Sequence, residues 1–117
     1  MPDQLNSISP LDGRYNKDAA VLSHYFSESA LMRYRMQIEV EYLIALSNEN
    51  KIAALPPIPK TLQSTLRKLY EKFDSRSARR IKKIETQTNH DVKAIEQYIS
   101  EKLQKINLSK FIPWVHF

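Results

Sequence analysis

The sequence predicts an all-α fold with about five helices and an irregular N-terminal arm. The 117 residues contain a single glycine, whereas β-sandwiches, barrels and dinucleotide-binding sheets need several glycine-dependent turns. Apolar residues recur three or four positions apart, and no stretch alternates apolar and polar residues. The absence of cysteine excludes disulfides, thiolate metal sites and a cysteine nucleophile.

The arm is predicted over residues 1–15. Pro10 restricts one backbone angle, and Asp12-Gly13 is typical of a tight turn whose glycine is free to adopt positive φ. Two interpretations stay open for the pair that follows: Arg14 presents its guanidinium to a phosphate or carboxylate with Tyr15 as a hydrogen-bond donor, or both are ordinary surface residues. A short helix is predicted next, over residues 17–26.

A long helix is predicted from residue 28 to residue 48, with Ser27 as its N-cap. Val40, Leu43, Ile44 and Leu46 broaden its main stripe, so we expect this helix to be buried between neighbours. The stripe consists of Leu31, Tyr34, Ile38, Tyr42 and Ala45.

Three more helices are predicted after the proline-rich connector at residues 55–60, which cannot continue a helix. They cover residues 61–73, 75–85 and 90–105, and Asp74 ends the first and caps the second. Their inward residues are Leu62, Leu66, Leu69 and Phe73, then Ala78, Ile81 and Ile84, then Val92, Ile95, Ile99, Leu103 and Ile106. The dense apolar run at residues 111–117 predicts a piece of a longer protein, cut inside a continuing segment.

Positive charge is concentrated in one part of the chain. The net charge is +5, and residues 67–83 contain eight Lys and Arg against two acidic residues. Such a patch suits nucleic acid or another polyanion, so a stand-alone basic helical binding module is the alternative function. The same pattern is typical of a solvated helix surface, and the segment contains no recognisable nucleic-acid motif.

The stretch TNHDVKA at residues 88–94 places three polar residues where the last helix is predicted to begin. Free backbone N–H groups and the helix dipole favour an anion at such a position. Asn89 is predicted to be the N-cap, and Asp91 in the first turn complements the dipole. Because these two roles do not involve His90, both a structural and a functional role stay open for it.

Several other classes of site lack a signal in the sequence. His24 and His116 have no partner at metal-ligand spacing, and no phosphate-binding glycine loop occurs, so no metal site is expected. No apolar run reaches the roughly 18 residues that cross a bilayer. The first residues do not follow the pattern of a secretory signal, and we expect a cytoplasmic protein without a membrane partner.

Four stretches resemble the adenylosuccinate lyase family, a member of the fumarase/aspartase superfamily. They are SISPLDGRY at 7–15, FSESALMRYRMQIEVEYLIAL at 26–46, RIKKIETQTNHDVKAIEQYI at 80–99 and WVHF at 114–117. The resemblance implies the N-terminal part of a homotetramer that is built around a long helical bundle. Residues 1–15 would then be a substrate-contacting arm, residues 16–110 a helical lyase domain and residues 111–117 the start of the central bundle.

The resemblance also implies a reaction. The family eliminates fumarate from adenylosuccinate, giving AMP, and from succinylaminoimidazole carboxamide ribotide (SAICAR), giving AICAR, in purine biosynthesis. It requires neither a metal nor an organic cofactor, and no nucleic-acid partner is expected. Another lyase of the superfamily, acting on argininosuccinate or malate, stays open as an alternative.

The site residues that the resemblance implies are substrate-binding ones. Arg14 and Tyr15 correspond to contacts with the phosphate end of the substrate, and Lys93 is a further source of positive charge. The pocket lining corresponds to Asn89, His90 and Asp91. Because the family's general-acid histidine and serine base lie beyond the equivalent of residue 117, no catalytic residue is expected here, and the chain alone is expected to be inactive.

Overall fold

The computed structural model describes residues 3–117, and it confirms the all-α prediction. It is 71% helical, and no strand occurs in this range. The α-helices are α1 (Asn16–Ala19), α2 (Ser23–Phe26), α3 (Glu28–Asn48), α4 (Lys60–Glu71), α5 (Ser75–Thr88) and α6 (Asp91–Lys105). Short 3₁₀ segments cover Gln4–Asn6, Ala20–Leu22 and Ser109–Trp114. The chain forms two compact units, the first ending at Leu31 and the second comprising Met32–Phe117.

The single helix predicted over residues 17–26 is instead α1, a 3₁₀ turn and α2. The backbone stays in the right-handed helical region at Ala19, Ala20 and Ser23, so only the hydrogen-bond spacing changes. Ser27 then leaves that region and its Oγ accepts the N–H of Ala30 at 3.0 Å. The predicted N-cap of α3 is therefore confirmed.

The predicted main stripe of α3 is wrong, whereas the residues predicted to broaden it are buried or partly buried. Leu31, Ile38 and Tyr42 are 45%, 66% and 45% exposed. Of the residues predicted to broaden the stripe, Val40, Leu43 and Ile44 are buried. The other buried residues of α3 are Ala30, Met32, Met36, Glu39 and Ser47. Because α3 is apolar on more than one side, the helical period alone does not say which side contacts the core.

The inward residues predicted for α4, α5 and α6 are confirmed. Leu66, Ile81 and Ile84 are buried, and Ala94, Ile95, Tyr98, Ile99 and Leu103 line the buried side of α6. The remaining predicted residues of these helices are partly buried against the same core or, at Val92, half-buried. Asp74 caps α5 by accepting the backbone N–H groups of Arg76 and Ser77, and α5 continues three residues past the predicted end, to Thr88.

The apolar run at residues 111–117 packs largely on the core of the second unit. Phe111 is 1% exposed, and Ile112, Trp114 and Val115 are partly buried against the same cluster. Phe117 remains 68% exposed. The proposed domain boundaries at residues 16 and 111 stay predictions.

Candidate functional site

The turn that precedes Arg14 is organised by the carboxylate of Asp12. This group accepts the backbone N–H of Ser9 at 2.8 Å and that of Ile8 at 3.3 Å. These hydrogen bonds, that of Ser9 above all, hold the pKa of Asp12 below its ordinary value. Two backbone bonds close the turn, from Gly13 N to Ser9 O and from Tyr15 N to Pro10 O. The turn therefore fixes the backbone on which Arg14 is carried.

Gly13 is required at this turn for space rather than for positive φ. No glycine in the described range has positive φ, so that part of the prediction is wrong. A Cβ at Gly13 would lie 2.7 Å from the carbonyl oxygen of Gln4 and 3.3 Å from Cβ of Ser7. The missing side chain lets the start of the arm fold back against the turn.

Arg14 and Tyr15 are both exposed beside a cleft of about 420 Å³. The cleft is also lined by Leu5, Ile8 and Pro10. The Arg14 guanidinium carbon lies 5.2 Å from the centre of the Tyr15 ring, a cation–π distance. Among residues 3–117 no carboxylate pairs with Arg14, so its guanidinium donors are available to an anionic ligand.

The junction between α5 and α6 reverses the predicted roles of Asn89 and His90. Asn89 adopts the left-handed conformation, with φ 52° and ψ 27°, and its N–H bonds to Glu85 O, so it terminates α5. His90 is extended and is the N-cap of α6. Its ring nitrogen Nδ1 accepts the backbone N–H of Lys93 at 3.1 Å. The prediction that Asn89 caps α6 is therefore wrong.

The cap fixes the tautomer of His90. Because Nδ1 accepts a hydrogen bond, the neutral ring carries its proton on Nε2. The side chain of Thr88 holds the backbone of the same residue, donating to His90 O at 3.0 Å and accepting His90 N–H at 3.3 Å. His90 is exposed, so this arrangement offers Nε2–H as a hydrogen-bond donor at the start of a helix.

Asp91 lies in the first turn of α6, as predicted, but it also makes an ion pair that the sequence did not indicate. Its Oδ2 lies 2.8 Å from Nη1 of Arg35 on α3. The backbone N–H of Val92, followed by the charge of Arg35, holds the pKa of Asp91 below its ordinary value. The negative charge at this helix start is thus already partnered, and Arg35 joins the candidate site.

The predicted site residues belong to two units. Arg14 and Tyr15 lie in the first unit and contact each other. Asn89, His90 and Asp91 lie in the second unit, where Arg35 joins them, and Lys93 is exposed one turn along α6. Only the tertiary pairing of α3 with α6 identifies Arg35, since it is 56 positions from Asp91 in the sequence.

Part of the basic segment at residues 67–83 is neutralised locally. Arg67 pairs with Glu41, Arg80 with Glu101, and Lys82 with Glu85. Charge that is paired within the protein contributes less to attracting a polyanion. Nothing in the arrangement specifically favours the alternative function of nucleic-acid binding.

None of the helices in residues 3–117 combines the length and the hydrophobicity that a bilayer crossing requires. Within the same residues, no three His, Cys, Asp or Glu side chains form a group suited to a metal ion.

Comparison with known proteins shows which sequences the chain resembles. No family model matches it. It is 42% identical over 118 residues to adenylosuccinate lyase of Dictyostelium discoideum, 40% identical over 114 residues to that of Legionella pneumophila, and 37% identical over 114 residues to that of Escherichia coli. These alignments cover 97–98% of the chain and 25% of each relative, so the chain spans about a quarter of the relatives' length. Along nearly all of its sequence, the chain is therefore similar to proteins named adenylosuccinate lyase, at 36–42% identity.

Proposed function

We propose that this chain is the N-terminal, substrate-binding part of a carbon–nitrogen lyase that releases fumarate from adenylosuccinate, giving AMP. SAICAR is proposed as a second substrate, giving AICAR. The observation that carries the proposal is the 36–42% identity to adenylosuccinate lyases over 97–98% of the chain. The proposed enzyme works in purine biosynthesis in the cytoplasm.

Arg14 and Tyr15 are proposed to bind the phosphate of the nucleotide. An unpaired guanidinium can donate two parallel hydrogen bonds to phosphate oxygens, and the phenol can donate a third. The open cleft beside both residues and the absence of a carboxylate partner for Arg14 in the described range support this role. Asp12 and Gly13 act on binding only by shaping the turn.

His90 is proposed to donate its Nε2–H to an anionic oxygen of the substrate. The capping bond at Nδ1 supports this role, because it orients the ring and leaves the proton on the outer nitrogen. Asn89 and Asp91 are proposed to line the same pocket, with Arg35 holding Asp91 in place. Lys93 is proposed to add positive charge nearby.

Elimination requires a base that removes a proton from carbon and an acid that protonates the departing nitrogen. We propose that both groups lie outside these 117 residues, in the remaining part of a longer polypeptide. The chain by itself is therefore expected to be inactive. Assembly into a homotetramer is also part of the proposal, and the exposed apolar residues Leu31, Ile38 and Tyr42 on α3 support it, because further protein would cover them.

The test is fumarate release from adenylosuccinate by the full-length polypeptide that contains this chain. Arg14→Ala and His90→Ala are each expected to lower kcat/KM by about 100-fold, the scale of losing one preorganised donor. Arg79→Ala is the matched control for Arg14, since it removes an exposed arginine from the basic segment and should leave kcat/KM unchanged. Absence of turnover in the full-length protein, or unchanged kcat/KM in both site variants, would refute the proposal.

A further inference from the structure

The imidazole of His116 lies between carboxylates from two helices. Its Nδ1 is 2.6 Å from Oε1 of Glu39 on α3, and its Nε2 is 3.5 Å from Oε1 of Glu96 on α6. A neutral ring has one N–H and can donate to only one of these acceptors, which leaves a lone pair directed toward the other carboxylate. Only the imidazolium form satisfies both.

Burial of Glu39 makes its contact with His116 important. Glu39 is 9% exposed, and its second oxygen, Oε2, is buried without a hydrogen-bond partner among residues 3–117. A buried carboxylate is costly unless it is paired with a cation and hydrogen-bonded. His116 supplies the hydrogen bond at Oε1, and its proton supplies the compensating charge.

Other interactions around His116 fix the last turn of the chain only in part. Phe111 is buried in the core and holds the preceding 3₁₀ segment. After it, Val115 N–H bonds to Ile112 O at 3.1 Å, Phe117 N–H bonds to Trp114 O at 3.3 Å, and the Trp114 and Phe117 rings meet edge to face at 4.9 Å. His116 itself has a φ of 57°, an unfavourable value for a residue with a side chain. The contacts of the His116 side chain with Glu39 and Glu96 therefore hold the residue in this conformation.

We propose that Glu39, His116 and Glu96 form a proton-dependent clasp that holds residues 114–117 against α3 and α6. The charged groups that face His116 are Glu39 from α3 and Glu96 from α6. One turn earlier on α3 lies Arg35, whose charge is paired with Asp91. The clasp is independent of the proposed enzymatic function, because it needs only these three side chains.

The sign of the pH dependence follows from the direction of the pKa shift. The hydrogen bond to Glu39, followed by the charges of Glu39 and Glu96, raises the pKa of His116 above its ordinary value of 6.5. A raised pKa in the folded state means that the clasp contributes fully below that ordinary value. Its contribution is lost as the pH rises through the raised pKa.

Trp114 is the only tryptophan of the chain and lies inside the clasped turn, so its quenching by acrylamide reports directly on release. We expect the Stern–Volmer constant of the 117-residue chain to rise by roughly twofold between about pH 6 and about pH 9, while far-UV circular dichroism stays unchanged. Glu39→Gln should give the high constant at both pH values. Glu41→Gln, on the same helix but without a contact to His116, should keep the step.

The variant His116→Asn tests whether the clasp requires the proton of His116. Asparagine tolerates positive φ and has an N–H₂ group near the position of Nδ1, but it does not titrate. Because asparagine can donate a hydrogen bond to Glu39 but supplies no compensating charge, we expect this variant to show the high quenching constant at both pH values. A wild-type chain whose Trp114 quenching does not change with pH, or a pH step that survives in Glu39→Gln or in His116→Asn, would overturn the proposal.

Discussion

A single histidine has both a structural and a proposed binding role in this chain. Side chains that cap helices are usually Ser, Thr, Asp or Asn, and His90 takes that position through Nδ1. The cap restrains the ring, and a restrained ring with a defined outer proton is a better donor than a freely rotating one. Helix capping and the orientation of a ligand donor are therefore coupled at one residue.

Two substitutions at His90 separate these roles. His90→Ala removes the acceptor for Lys93 N–H and is expected to lower the free energy of unfolding by about 1 kcal/mol. His90→Asn provides another capping oxygen and is expected to stay within a few tenths of a kcal/mol of wild type. Urea unfolding of the 117-residue chain measures both. Equal destabilisation by Asn and Ala would show that the cap is not the stabilising feature.

At the scale of elements, α3 and α4 share the hydrophobic core and are also joined by a polar contact at the surface. Glu41 on α3 accepts two hydrogen bonds from Nε of Arg67 and Nη2 of Arg67, and one from the Tyr70 hydroxyl at 3.0 Å. The bidentate geometry explains why Arg rather than Lys suits position 67. The same contact removes one charge from the basic segment.

The contact between Glu41 and Arg67 predicts a pH dependence. The Arg67 hydrogen bonds, ahead of that from Tyr70, lower the pKa of Glu41 below its ordinary value of 4.5. A lowered pKa in the folded state means that the contribution is full above this value and is lost as the pH falls through the lowered pKa. Glu41→Gln should therefore be less stable than wild type at neutral pH, by no more than about 1 kcal/mol because the pair is partly exposed.

Thermal unfolding at neutral pH and below pH 4.5 measures this difference. The gap between wild type and Glu41→Gln should narrow at the lower pH. Glu71→Gln is the control, because this exposed residue on α4 forms no ion pair with α3 among residues 3–117. A gap that widens on acidification would contradict the assignment.

At the scale of the whole molecule, α3 presents apolar side chains on two sides. Met36 is fully buried, whereas Ile38 is 66% exposed. The hydrophobic effect stabilises the chain only through the side that is removed from water. The exposed side is therefore available for other protein, as the proposed homotetramer requires.

Lysine substitutions on the two sides should differ strongly in their effect on the free energy of unfolding. Ile38→Lys is expected to change the free energy of unfolding by less than about 0.5 kcal/mol, since the new charge stays in water. Met36→Lys places a charge in the core and is expected to cost about 3 kcal/mol or more. Urea unfolding of the 117-residue chain measures both variants. A large loss for Ile38→Lys would mean that the side of α3 described as exposed is covered.

The sequence by itself determined the helical class and most of the inward residues of α4, α5 and α6. Those helices are apolar on one side only, as at Leu66, Ile81 and Ile95, so periodicity and burial coincide. It also determined the caps at Ser27 and Asp74, because a cap depends on bonds within a few residues.

Only the tertiary structure decided the buried side of α3, the exchange of roles between Asn89 and His90, and the long-range pairs of Asp91 with Arg35 and of Glu39 with His116. Because α5 continues to Thr88, Asn89 caps its C-terminal end, and His90 becomes the N-cap of α6. Long-range pairs join residues far apart in sequence, and their distances are set by helix packing rather than by local preference. Local propensity therefore predicts the elements, and packing decides which of their surfaces and charges meet.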